Sequence, residues 1–162
     1  MADGQVLLGL ARAAIGEALG LDRCPIEADD WLHCPGATFV TLTRERQLRG
    51  CIGTLEARRP LMTDVQANAV AAAFYDRRFQ PLSLAEFGEV KIGVSLLSPP
   101  EPMEVASEAE AVTRVRPFED GLVLHYGHLR GTFLPQVWES LADPLDFLCE
   151  LRRKAGLPTR FW

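Results

Sequence analysis

The stretch from Ala37 to Leu55 constrains the fold more than any other part of the chain. Ala37-Thr38-Phe39-Val40-Thr41-Leu42 has the β-branched and aromatic content of a strand. Arg44-Glu45-Arg46-Gln47 makes a polar turn, and Leu48 to Leu55 returns with period-2 faces. On the returning strand Leu48, Gly50, Ile52 and Thr54 are expected on one face, and Arg49, Cys51, Gly53 and Leu55 on the other. Arg49 and Cys51 then share a face. Gly50 and Gly53 mark a bulge, or a place where a ligand or another backbone comes close. A fixed positive charge near a thiol favours the thiolate, the form that attacks carbon or binds metal. The alternative is that Cys51 is a small buried core residue.

Around this hairpin the chain reads as alternating helices and strands. Asp3 can cap a helix near 4–19, whose apolar positions Val6, Leu7, Leu10, Ala14, Ile15 and Ala18 keep helical spacing and which Gly20 closes. Pro60 stands at the first position of a helix near 60–75, striped by Leu61, Val65, Ala69 and Ala72. Asn68 falls at the edge of that stripe, where its amide ties down a backbone or reaches a ligand. Asp76 in the following turn can pair with an arginine. A strand is expected over 90–98, ended by Ser98-Pro99-Pro100. Ser107 and Glu110 make a capping-box pair, 121–134 a hairpin around Gly127-His128, and Asp143-Pro144 opens a last helix that Gly156 ends. Hairpins separated by helices, without a βαβ rhythm, predict an α+β fold: a mainly antiparallel sheet with packed helices, in one domain over 1–162.

Composition narrows the function classes. A net charge of −5 and a pI near 5.2 argue against a protein that coats nucleic acid. Yet seven arginines (44, 46, 49, 58, 59, 77 and 78) face only four acids between Arg44 and Arg78, enough for a locally cationic surface. No apolar run approaches the roughly 20 residues a membrane helix needs, and the acid at Asp3 does not suit a secretory signal. A cytoplasmic location is expected. Cys24, Cys34, Cys51 and Cys149 contain no Cys-x-x-Cys pair and are most simply reduced thiols; Cys24, His33 and Cys34 fit no common zinc spacing.

Several of these stretches together resemble the AMMECR domain family. They are Phe39 to Leu42, Leu48 to Leu55, Asn68-Ala69, Ala72 to Phe74, Asp76-x-Arg78-Phe79-x-Pro81-Leu82, Val94 to Ser98 with Glu101-Pro102, Asp120 to Leu124, Gly131-x-x-Leu134-Pro135-Gln136-Val137 and Lys154 to Pro158. The resemblance implies a cytosolic α+β protein with a larger and a smaller lobe and the Leu-Arg-Gly-Cys-Ile-Gly segment near a groove between them. It assigns no activity. Prokaryotic members resemble protein A of the AmmeMemoRadiSam system, which implies a Memo-like protein and a radical S-adenosylmethionine protein as partners in a modification reaction. This sequence departs from the pattern twice: Arg77 replaces the proline of Asp-Pro-Arg-Phe, and Gly93 stands where an acid is common.

The residues favour recognition over catalysis. Nucleophilic catalysis by Cys51 needs a base or cationic orienter within hydrogen-bond reach, and His33, His125 and His128 are all distant in sequence. No Gly-x-Ser-x-Gly elbow, phosphate loop, dinucleotide fingerprint or Cys-x3-Cys-x2-Cys cluster motif occurs, so no cofactor is implied. The expected reading is a binding or accessory module whose groove, lined by Arg49, Gly50, Gly53, Asn68 and Arg78, takes a small anion or a partner. The alternatives are a Cys51-dependent transferase or hydrolase, and an RNA-modification component.

Overall fold

The structure is a computed structural model and describes residues 2–22 and 29–162. Cys24 lies outside the described residues; His33 and Cys34 are exposed. The chain divides into two compact units, Met1–Pro100 and Glu101–Trp162. Every strand pairing among the described residues is antiparallel, so the fold is α+β.

In the first unit α1 (Ala2–Ala18) precedes β1 (Pro35–Arg44), β2 (Gln47–Gly53), a two-residue β3 (Arg59–Pro60), α2 (Leu61–Phe74), a single-turn α3 (Leu84–Phe87) and β4 (Lys91–Leu97). β1 is central, with β2 on one side and β4 on the other. Val40 and Leu42 of β1 are fully buried and join a core with Leu10, Ile15, Val65, Ala69 and Ala72 of the two long helices. Both helices therefore bury their apolar stripes on one face of the sheet, the outcome their helical spacing dictates.

Two local expectations are corrected, at the starts of the two long helices, and the turn expected at Arg44 to Gln47 stands. α1 opens at Ala2, so Asp3 lies inside its first turn instead of capping it. The helix does close at Gly20 (φ 84°), where Leu21 N–H donates to Gly16 O and Gly20 N–H to Glu17 O. Pro60 is the cap residue before α2, because its neighbour Arg59 still pairs with Gly36 of β1. The β1–β2 turn is a two-residue turn in which Glu45 (φ 52°) and Arg46 (φ 66°) both adopt left-handed conformations.

The most consequential correction is in β2. Thr43 pairs with Leu48 but Leu42 pairs with Gly50, so Arg49 is an extra residue, a β-bulge. The bulge breaks the strict alternation. Gly50 and Ile52 keep the core face, whereas Leu48 leaves it and is 43% exposed.

The second unit holds α4 (Glu108–Arg114), the hairpin β5 (Leu122–Tyr126) and β6 (Leu129–Phe133), a 3-10 turn over Pro135–Glu139 and α5 (Pro144–Ala155). Its core is aromatic: Trp138 stacks on Phe147 at 3.6 Å between ring centres, and Phe133 meets Phe147 edge-on. Ser107 caps α4 by accepting from Glu110 N–H, but the Glu110 carboxylate accepts from Ala106 N–H, so only half of the capping box forms. Asp143 caps α5 through Leu145 N–H and Asp146 N–H, and Gly156 (φ 86°) ends it.

Candidate functional site

The bulge places Arg49 and Cys51 beside the turn that follows α2. β2 is an edge strand, and Cys51 turns its peptide groups outward, away from β1. Cys51 N–H donates to Asp76 Oδ2 at 2.9 Å, and Arg78 Nη2 donates to Cys51 O at 3.3 Å. Asp76 and Arg78 are joined by Nε–Oδ1 and Nη2–Oδ2 bonds of 2.9 and 2.6 Å. Together they satisfy both backbone groups of Cys51, as a neighbouring strand would. One residue pair thus stands in for a missing ladder partner.

Arg49 is fastened to the same region. Its Nε and Nη2 donate to the two Glu86 carboxylate oxygens at 3.1 and 3.2 Å, and Nη2 also donates to Gln80 O at 3.0 Å. Glu86 is held in turn by a full capping box with Ser83, and Arg44 pairs with Glu86 and Glu89. The Phe79 ring lies within cation–π range of both Arg49 and Arg78. Arg49 Nη1 is buried and has no hydrogen-bond partner among the described residues.

These contacts fix the charges. The Arg78 guanidinium, aided by Cys51 N–H and opposed by burial, holds the Asp76 carboxyl far below the usual carboxylate range. Arg49, aided by Ser83, lowers Glu86 to about 2. The Cys51 sulfur is half-buried and makes its hydrogen bond with the Thr41 hydroxyl across the β1–β2 pair, Sγ to Oγ1 3.2 Å.

The glycines are filled from within the chain. A Cβ on Gly50 would lie 2.2 Å from Ala72 O, so Gly50 lets α2 come close to the sheet. A Cβ on Gly53 would lie 2.2 Å from the Phe39 ring, which covers that backbone from the paired position on β1.

Asn68 belongs to a different cluster. It is 3% exposed and donates through Nδ2 to Thr38 O and to Asp64 Oδ2, both at 2.9 Å. Asp64, fully buried, also accepts from Thr38 N–H (2.8 Å), Thr38 Oγ1 (2.7 Å), Thr54 Oγ1 (2.7 Å) and Arg59 Nε (2.8 Å). Sequence reading passed over Asp64 and Glu86. Two signals pointed to them: Asp64 and Asn68 are four apart on one helix face, and Ser83-x-x-Glu86 is a capping-box pattern.

The structure therefore joins Arg49, Cys51 and Arg78 in one cluster, and sets Asn68 in another. His125 and His128 are exposed in the second unit's hairpin, and His33 is exposed in the 3-10 turn before β1.

Comparison with known proteins agrees with this architecture. The AMMECR1 sequence pattern matches residues 8–162. The chain belongs to the AMMECR1 family. A protein of Methanothermobacter thermautotrophicus is 39% identical over 160 residues, covering 96% of this chain and 83% of the relative. One from Sulfurisphaera tokodaii is 40% identical, covering 98% of this chain and 74% of its own. The crystal structure of an uncharacterised protein from Pyrococcus horikoshii superimposes on this family member with a TM-score of 0.88 at 35% identity, over 96% of this chain and 81% of that one. No helix among the described residues is long and apolar enough to cross a membrane.

Proposed function

We propose that this AMMECR1-family chain is a binding or accessory component of a multi-protein modification system, and that the Arg49–Cys51–Arg78 cluster recognises a small anion or an acidic group on a partner protein. The observation that carries this reading is the thiol's partner. Cys51 Sγ is hydrogen-bonded to a neutral hydroxyl, Thr41, which is no base for generating a thiolate. Both neighbouring guanidiniums are engaged by carboxylates, Arg49 by Glu86 and Arg78 by Asp76. Arg78 is the one open to exchange, since its side chain is 56% exposed while Arg49 is 13% exposed. A guanidinium offers five donors in a planar fork, suited to carboxylate or phosphate.

A nucleic-acid role finds less support: five of the seven arginines between Arg44 and Arg78 are paired with carboxylates, Arg44, Arg49, Arg58, Arg59 and Arg78. The partners this reading names, from the family resemblance, are a Memo-like protein and a radical S-adenosylmethionine protein. The test is native co-purification with tagged chain, followed by mass spectrometry of proteins and small molecules. Co-elution of both partners, lost in Arg78→Ala but kept in Cys51→Ser, is the expected result. Turnover of a substrate by the isolated chain, abolished in Cys51→Ser, would replace this reading with a thiol-dependent transferase or hydrolase.

A further inference from the structure

At the end of the first unit's sheet, β1 begins, β4 finishes and the loop after β2 crosses over to α2. These segments enclose a cavity of about 370 Å³ whose walls include Trp31, Pro35, Leu55, Leu61, Leu97 and Pro99. Its volume falls at the lower end of the range for small-molecule sites, roughly 300–1,000 Å³. Among the described residues no charged side chain lines it; Cys34 and Ser98 supply side-chain polarity.

The walls are set before anything binds. Gly36 lies so close to Leu61 that a Cβ there would come within 2.7 Å of it. Leu61 N–H donates to Cys34 O at 2.9 Å, and Trp31 Nε1 donates to Asp29 at 3.3 Å. Pro35, Pro99 and Pro100 have fixed φ angles. Little ordering is left for a ligand to impose, and that lowers the cost of binding. Leu96, at the rim, is 53% exposed, an apolar side chain on which a ligand would rest. Arg58, adjacent to Ala57 in sequence, pairs with Glu56, and Arg59 is drawn to Asp64 and Asn68; neither lines the cavity.

We infer that this cavity is a binding site for a small, uncharged, ring-sized apolar molecule, formed by residues other than the Arg49–Cys51–Arg78 cluster. A lining without charge cannot compensate an anion or cation, and burying an unpaired charge there would be prohibitive. A neutral ring gains from burial against Trp31, the prolines and the leucines.

The experiment is a titration of the whole chain with indole, followed by amide proton–nitrogen spectra. Indole-3-carboxylate, the same ring with one negative charge, is the comparison. Saturable indole shifts confined to residues 34–37, 55–61 and 96–98 are expected, with the carboxylate about tenfold or more weaker. Leu96→Asp puts a charge on the rim at a half-exposed position and should weaken indole to a similar degree, with the remaining spectrum unchanged. Ala57→Trp, at an exposed lining position, should block the mouth and serves if Leu96→Asp perturbs the fold. No saturable shift up to the solubility limit of indole would overturn the assignment. So would shifts centred elsewhere, equal binding of the carboxylate, or full affinity in the folded variants.

Discussion

Two carboxylates organise the first unit, and they do so in opposite ways. Asp64 is fully buried and gathers Thr38, Thr54, Arg59 and Asn68, so its bonds knit β1, the end of β2 and α2 into one body. Asp76 is also buried, at 6% exposure, but it acts at the sheet's margin, holding the Cys51 backbone on one side and an exposed Arg78 on the other. In the first cluster Asp64 and Asn68 are buried and Arg59 reaches solvent with a side chain 37% exposed, so it is mainly internal scaffolding. The second ends in the more open guanidinium, Arg78, 56% exposed, which the proposed function has trade one anion for another. Local polarity is similar in the two clusters; they differ in how far the terminal arginine is open to solvent.

The largest expected effect is at Asp64. Asp64→Ala strips the Thr38 amide, two hydroxyls and Arg59 of their acceptor, and should cost about 3–5 kcal/mol in urea unfolding, as for breaking a buried ion pair. A loss below about 1 kcal/mol would erase the distinction between the two clusters. Asp76→Ala should cost less, about 1.5–3 kcal/mol for charge-assisted bonds to two backbone N–H groups and one guanidinium. It should also unseal the β2 edge, so light scattering should show association that grows with protein concentration. Gly50→Ala probes the seam between them. Its Cβ would meet Ala72 O at 2.2 Å, and overpacking of that kind costs about 1–3 kcal/mol in denaturant melts.

How much of this was legible beforehand follows from what each feature depends on. The hairpin, the two long helices and β4 were readable because alternating or helical spacing and strong end signals agreed with their burial. The register of β2 was not. Gly50 marks a bulge or a close backbone approach, and both occur there, but spacing alone does not say that Arg49 is the inserted residue or that Gln80 and Glu86, more than thirty residues away, hold it. The tight turn at Glu45-Arg46 lacked the Asn or Gly that normally announces two left-handed residues. Arg49, Cys51 and Arg78 were picked out as site residues and do meet. Asn68 was picked with them and lies in the Asp64 cluster, since a helix stripe gives the side an amide faces but not its partners.

Acid sharpens the comparison further. Glu86 is lowered from 4.5 to about 2, and Asp76 is depressed below its ordinary 3.8. Their contributions are complete above those ordinary values, where the carboxylates are charged in folded and unfolded chains alike. They are lost as pH falls through the lower folded values. Stability should therefore decline below about pH 4.5, and Glu86→Gln should flatten part of that slope in thermal melts across pH 2 to 6. A melt that stays level down to pH 2 would mean these pairs do not hold in solution. The smallest expected change is at Cys51 itself: Cys51→Ser keeps a hydroxyl opposite Thr41, and its unfolding free energy should move by no more than about 1 kcal/mol.

The central claim, that this surface recognises rather than reacts, is tested most directly by reconstituting the chain with the Memo-like and radical S-adenosylmethionine proteins proposed as its partners. Product formation would be measured with Cys51→Ser and Arg78→Ala, each first shown to melt cooperatively. The account predicts that Cys51→Ser retains most of the product formed with the unaltered chain. Arg78→Ala should lose about tenfold or more, the worth of one charge-assisted hydrogen bond. An inactive Cys51→Ser beside an active Arg78→Ala would contradict it and make the thiol the catalyst.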